Sequence, residues 1–265
     1  MFEFCIPTGA ASVPSSPDWL HEIKYDGYRL RLERDGNRVR LITRGGYNWS
    51  DRYPWIVEAA LKNRHRQFVI DGEAVVLGVD GVSDFDALHS GKHNEEVQLY
   101  AFDIMALNGD DLRRVPLSMR KTNLAQLLAR RPEGIFIAPF EQGEIGPDLF
   151  RAACDMGLEG LVSKRRDRPY QGGRSKHWVK VKNRKHPAMS RVMEAFAQIS
   201  RGHSDSRARL KELSPPAAGP IAASVRNSQG LVLSRAVPPR RCTGRATRAA
   251  SRKRARRGSL RGDLS

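Results

Sequence analysis

The sequence predicts an α+β fold over residues 1–199, with mostly antiparallel sheets flanked by helices, followed by a basic, disordered tail over 200–265. Three observations predict it. Short β-rich runs recur, many of them closed by tight Gly-containing turns. Helical periodicity is confined to a few separated segments, too few to alternate with every strand as a doubly wound parallel sheet requires. The charge is also uneven. Of a net +17, residues 200–265 carry +13, from sixteen Lys/Arg against three acids, and residues 1–199 carry only +4.

Taken in order, Leu20–Lys24 is the first strand. Leu30–Arg34 and Arg38–Thr43 flank Asp35-Gly36-Asn37, a hairpin turn with Gly where positive φ is needed. Tyr53–Leu61 has helical spacing. Phe68–Leu77 is an apolar strand that stops before Asp80-Gly81, and Tyr100–Leu107 runs into Asn108-Gly109. Ser118–Ala129 reads as a helix with Ser118 as its N-cap. Then come a strand at Ile135–Ala138, a helix at Asp148–Met156, strands at Gly160–Lys164 and Trp178–Lys182, and a helix at Pro187–Phe196. The Trp178–Lys182 strand alternates apolar and basic residues, as a half-buried strand does.

The tail is rich in Ser, Pro, Ala and Arg, with one short apolar run at Leu231–Leu233. It cannot bury enough surface to offset the entropy of ordering. Its charge attracts any polyanion without choosing among sequences, so it is either a nucleic-acid tether or an extension that binds nothing in particular. No stretch approaches the ~20 apolar residues of a membrane span, and no secretory signal is visible at the N-terminus. Cys5, Cys154 and Cys242 are too dispersed for a C-x-x-C metal knuckle and read as thiols of a reducing cytoplasm.

The densest chemistry lies in Glu22-Ile23-Lys24-Tyr25-Asp26-Gly27-Tyr28-Arg29, which exposes an amine where one strand ends and the next begins. Alone, K-x-D-G reads as a solvated surface turn. An ordered set follows it: Thr43-Arg44-Gly45-Gly46, Asp71-Gly72-Glu73, Tyr100-Ala101-Phe102-Asp103, Glu159-Gly160-Leu161-Val162-Ser163-Lys164 and Trp178-Val179-Lys180-Val181-Lys182. Singly, each has a bland reading: a solvent-facing Glu73, a core Phe102, a turn-capping Arg44, edge-strand lysines at 180 and 182 that discourage aggregation. Those readings do not account for six segments in this order.

With these motifs the sequence, over roughly Phe4–Phe196, resembles the covalent nucleotidyltransferases, and within them the ATP-dependent DNA ligases of the short bacterial, end-joining type. The resemblance implies an ATP-grasp-like adenylation domain that uses ATP and Mg²⁺ or Mn²⁺. Lys24 would be the nucleophile that takes AMP, aided by Lys180 and Lys182. An ammonium cannot attack, so its proton must be lost, and Arg29, Lys180, Lys182 and a metal ion are the groups that would disfavour it. The same cations would stabilise charge on the phosphoryl group. The main chain at Glu22 and Ile23 would read the adenine edge, Phe102 would stack on the base, and Glu73 would hold the ribose hydroxyls. Arg29 and Arg44 would contact the ribose or the 5′-phosphate at a nick, and Glu159 and Asp26 would hold the metal. The implied partners are nicked or broken duplex DNA and an end-binding repair protein, in a bacterial cytoplasm and without a membrane.

After the K-x-K strand most such ligases continue into an OB domain, and residues 200–265 do not show its five alternating strands. A minimal ligase, a module completed by a partner and a catalytically impaired nucleic-acid-binding remnant stay open. So does a relative acting on RNA, as a ligase or a capping enzyme.

Overall fold

The computed structural model describes residues 2–130 and 133–191, all within the unit Met1–Leu213. In chain order its elements are β1 (Cys5–Gly9), β2 (Trp19–Ile23), β3 (Tyr28–Asp35), β4 (Arg38–Thr43), α1 (Pro54–Lys62), β5 (Gln67–Val75), α2 (Phe85–Ser90), β6 (Gln98–Leu107), β7 (Asp110–Asp111), α3 (Leu117–Leu127), β8 (Ile135–Ile137), β9 (Phe140–Gln142), α4 (Gly146–Asp155), β10 (Gly160–Arg165) and β11 (Gly173–Lys182). Two sheets result. One has the order β1-β11-β10-β2-β9; the other runs β4-β3-β5-β6-β7, with β8 paired to β6.

Strand alternation sorts the side chains between faces. Leu30 and Leu32 of β3, Ile70 and Ala74 of β5, and Leu99 and Ala101 of β6 pack under α1 and α3 as the main core. Leu161 and Val181 of the other sheet pack against Ala153, Leu149 and Phe150 of α4. Between the sheets lies a small mixed core of Cys5, Val69, Met105, Tyr170 and Trp178, with Phe102 against it. The layers are therefore helix, sheet, sheet, helix, and the polar members of the inner faces meet beside the small core.

Most pairings are antiparallel, as the turn signals predict. Two are parallel, β1 with β11 and β6 with β8, because their partners are far apart in sequence and no hairpin constrains them. Four short elements, β1, β7, β9 and α2, carry too few residues to stand out as periodic runs. The Ser118 cap is corrected. Helix α3 begins one residue earlier, behind Pro116, with no side-chain cap. Its first donors, the N–H groups of Leu117 and Ser118, are bonded instead to the carbonyls of Arg168 and Arg166, so tertiary structure does the work of a cap. The helix expected at Pro187–Phe196 is present over 187–191. Its remainder, the tail and the OB question lie outside the described residues.

Candidate functional site

The inner faces of the two sheets enclose a cavity of about 180 Å³, lined among others by Glu22, Lys24, Arg29, Glu73, Phe102 and Lys180. Each arrives by alternation: Glu22 and Lys24 at the end of β2, Lys164 from β10, Trp178, Lys180 and Lys182 from β11, Arg29 from β3 and Glu73 from β5. Phe102 follows Ala101, which packs in the helix-covered core, so alternation turns its ring to the inter-sheet side as well. In the β5–β6 ladder Asp71 pairs with Asp103 and Gly72 with Ala101, so Phe102 is an extra residue at a bulge. The bulge resets the alternation after it, and Ile104 returns to the helix-covered core.

The centre of the site is the Glu159 carboxylate, 4% exposed, which bridges two lysines. Lys24 Nζ donates to Oε2 at 2.5 Å, and Lys182 Nζ lies 3.1 Å from Oε1. The backbone enforces this meeting, since the Lys24 N–H donates to the Gly160 carbonyl and the Asn183 N–H to that of Glu159. Gly160 itself has φ +141°, and a Cβ there would stand 2.1 Å from the Val181 carbonyl oxygen. The E-G pair is thus a steric requirement of β10 meeting β11. Lys180 faces the same space, and burial lowers its pKa, assisted by Lys24, Lys182 and Arg44 and opposed by Glu159. Burial pushes the Glu73 carboxyl up to about 7, against the pull of Lys24 and Arg29.

Arg29 is committed elsewhere. Its guanidinium makes a bidentate pair with Asp71 (3.0 and 2.7 Å) and donates to the Cys5 carbonyl, lying 5.2 Å from the Phe4 and Phe102 ring centres. A direct bond to ribose or phosphate would require it to leave these partners, so in this state it shapes the wall. Arg44 is exposed at the mouth.

Glu22 enters the cavity wall, and its side chain is locked beneath it. Lys164 Nζ donates to Oε2 at 2.5 Å, and Lys121 Nζ lies 2.6 Å from Oε1, a charge contact without hydrogen-bond direction. Lys164 also sits 4.1 Å from the ring centres of both Phe102 and Trp178, and burial brings its pKa down to about 8. Lys164, Trp178, Tyr25 and Asp71 are site residues to which sequence reasoning gave no role. The inward parity of β10 and β11, Lys164 with Trp178, Lys180 and Lys182, is the signal that could have found the first two.

Asp26 is a correction. It does not join Glu159: its carboxylate is paired with Arg191, and it lines a separate surface hollow with His186 and Asp84. A strand continued through this segment would keep Asp26 on the side of Lys24, but β2 ends at Ile23 and the chain bends at Asp26, whose carboxylate is held by Arg191 instead. Among the described residues no group of three His, Cys, Asp or Glu side chains converges to hold a metal. Glu159 is the carboxylate in direct contact with Lys24, which fits an ion such as Mg²⁺ that keeps waters and arrives on phosphates rather than in a resident cage.

The family model described as an ATP dependent DNA ligase domain matches residues 10–182. The multifunctional non-homologous end joining protein LigD of Pseudomonas aeruginosa is 36% identical over 187 residues, 69% of this chain and 22% of that protein. The SPbeta prophage-derived DNA ligase-like protein LigB of Bacillus subtilis is 31% identical over 171 residues, 63% of this chain and 62% of LigB. Among solved structures, mycobacterial DNA ligase D complexed with ATP and MES superposes with a TM-score of 0.60 at 31% identity, covering 68% of this chain and 60% of that one. The chain thus spans about a fifth of the length of the first of these relatives.

Proposed function

Because the chain belongs to the family of ATP-dependent DNA ligase domains, we propose that it adenylates itself on Lys24 and passes the AMP to a 5′-phosphate of nicked or broken duplex DNA, in end-joining repair in a bacterial cytoplasm. The observation that carries this reading is the Lys24 amine bound to Glu159, which also holds Lys182, with Lys180 lining the same aromatic-walled cavity. The cavity is smaller than the ~300–1,000 Å³ of typical ligand sites, so it suits base and sugar, with the phosphates extending to the lysine-lined mouth.

In the first step Lys24 Nζ forms a bond to the α-phosphorus while the bond to the bridging oxygen breaks and pyrophosphate leaves. Glu159, at 2.5 Å, is the acceptor for the proton that the ammonium must lose. Lys180 and Lys182 face the developing charge. Phe102 would offer its ring to adenine, with the Glu22 and Ile23 main chain at the base edge and Glu73 at the ribose. Mg²⁺ or Mn²⁺, held by Glu159, would supply charge neutralisation on the triphosphate. A 3′-hydroxyl would then displace AMP and seal the strand.

Intact mass after incubation with ATP and Mg²⁺ tests this. The wild type should gain one AMP and Lys24→Ala none. A gain in both, or in neither, overturns the reading. Offering GTP and nicked RNA in parallel separates the DNA ligase from a capping enzyme or an RNA ligase.

A further inference from the structure

The face of the sheet that carries Arg29 and Glu73 does not end at the cavity. Strand β4 is the edge strand of that sheet, and its register with β3 (Arg31 with Ile42, Glu33 with Arg40) places Arg38, Arg40 and Ile42 on the same side, with Arg44 lining the same groove from the turn that follows β4. Beside this strand lies a groove of about 750 Å³ lined by five arginines, Arg31, Arg34, Arg38, Arg40 and Arg44, against three acids, Glu33, Asp35 and the exposed Glu3. Arg44 lines both the groove and the lysine cavity, so the two are continuous at the mouth.

The charges of the groove are unequally engaged. Arg34 is buried, with its donors spent on the carbonyls of Gly36, Ala60 and Asn63. Glu33 is shared between Arg31 and Arg40, and Asp35 accepts from Gln67. Arg38 is exposed and has no ion-pair or hydrogen-bond partner among the described residues, and Arg40 and Arg44 are exposed as well. Edge strands often carry charge merely to prevent pairing. These arginines instead line a groove that leads to the site. From Arg38 to Thr43 the strand rises ~17 Å at ~3.3 Å per residue, a length of duplex axis over which one DNA strand presents about five phosphates at ~3.4 Å spacing.

We infer that Arg38, Arg40 and Arg44 form a phosphate track for one strand of the DNA substrate, guiding it along this face of β4 to the Lys24 site. The inference rests on the DNA-ligase reading above. Its contacts are to phosphates, so they fix register and orientation without reading sequence.

The test compares full-length wild type with R38Q/R40Q for binding to a nicked duplex across a salt series, alongside AMP-adduct formation by intact mass. Both substituted side chains are exposed, so the fold should be retained. The tail is common to both proteins and cancels in the difference. Each phosphate contact contributes ~0.9 to the log–log salt slope, so the slope should fall by ~1.8 in the double variant, with adduct formation unchanged. R151Q, which removes a charge exposed on α4, should leave the slope as it is. An unchanged slope in R38Q/R40Q, or an equal drop per charge in R151Q, overturns the track. Loss of the adduct in R38Q/R40Q alone would move these arginines to the nucleotide site and overturn it too. Absence of the adduct in the wild type would instead overturn the ligase reading, and the slope difference would still report on the groove.

Discussion

At the scale of residues, the site sets one buried carboxylate, Glu159, between the amines of Lys24 and Lys182. Lys182 is 29% exposed on its side chain, so its loss should not unfold the protein. Lys182→Ala is expected to slow adduct formation on the order of 10²-fold, the usual effect of removing one group that stabilises transition-state charge; single-turnover kinetics measure it. Glu73 gives a pH signature. Its carboxyl is pushed up to about 7 in the folded chain, above its ordinary value of 4.5. The folded state therefore binds this proton more tightly, so its contribution to stability is full below about 4.5 and is lost as pH rises through about 7. The melting temperature of the wild type should decline over that window relative to Glu73→Gln. Nucleotide affinity should move the opposite way if the ionised carboxylate accepts the ribose hydroxyls. A wild type and variant with parallel profiles would contradict both expectations.

At the scale of elements, two backbone devices aim the functional groups. The bulge in β6 lets Phe102 face the cavity while Ile104 returns to the helix-covered core, and the tight start of β10 brings Glu159 to Lys24. Gly160 is the more exacting of the two. Its φ of +141° and the 2.1 Å approach of a Cβ to the Val181 carbonyl mean that Gly160→Ala must push β10 and β11 apart. A loss of about 2–4 kcal/mol is expected from the denaturant midpoint, with adduct formation falling as well because Glu159 moves. Unchanged stability would show that the strand ends are more pliant than this geometry implies. The Asp35-Gly36-Asn37 hairpin, by contrast, is fully legible in the sequence because a two-strand turn needs only local chemistry.

At the scale of the whole molecule, the cavity exists because two sheets are held at a fixed separation by a buried polar link. Arg29 and Asp71 come from the six-stranded sheet. The Tyr170 hydroxyl donates to Asp71 at 2.7 Å and accepts from the Cys5 N–H, and Arg29 donates to the Cys5 carbonyl. Tyr170→Phe leaves the Asp71 carboxylate, buried from water, one donor short, which should cost about 1–3 kcal/mol. Since the link spaces the sheets around the base-sized cavity, the KM for ATP in adduct formation should rise while kcat changes less. A variant with lowered stability and an unchanged KM would reduce the link to a purely structural role. The chain beyond residue 199 adds charge of +13 at this scale. Deleting it should flatten the salt dependence of DNA binding and leave the Lys24 adduct intact.

The sequence by itself determined the α+β class and the main strands, and it named the candidate site residues from Lys24 to Lys182, because turn chemistry, period-two alternation and an ordered set of motifs are local signals. It also named Glu159 as a partner of the site. Only the tertiary structure decided which of these meet. It separated Asp26, tied to Arg191, from Glu159, and committed Arg29 to Asp71. It also brought in Lys164 and Trp178, which had been assigned no role. Contacts between residues more than a hundred positions apart depend on how two sheets stack, and on bulges that shift a side chain from one face to the other. No local pattern of the chain encodes those separations.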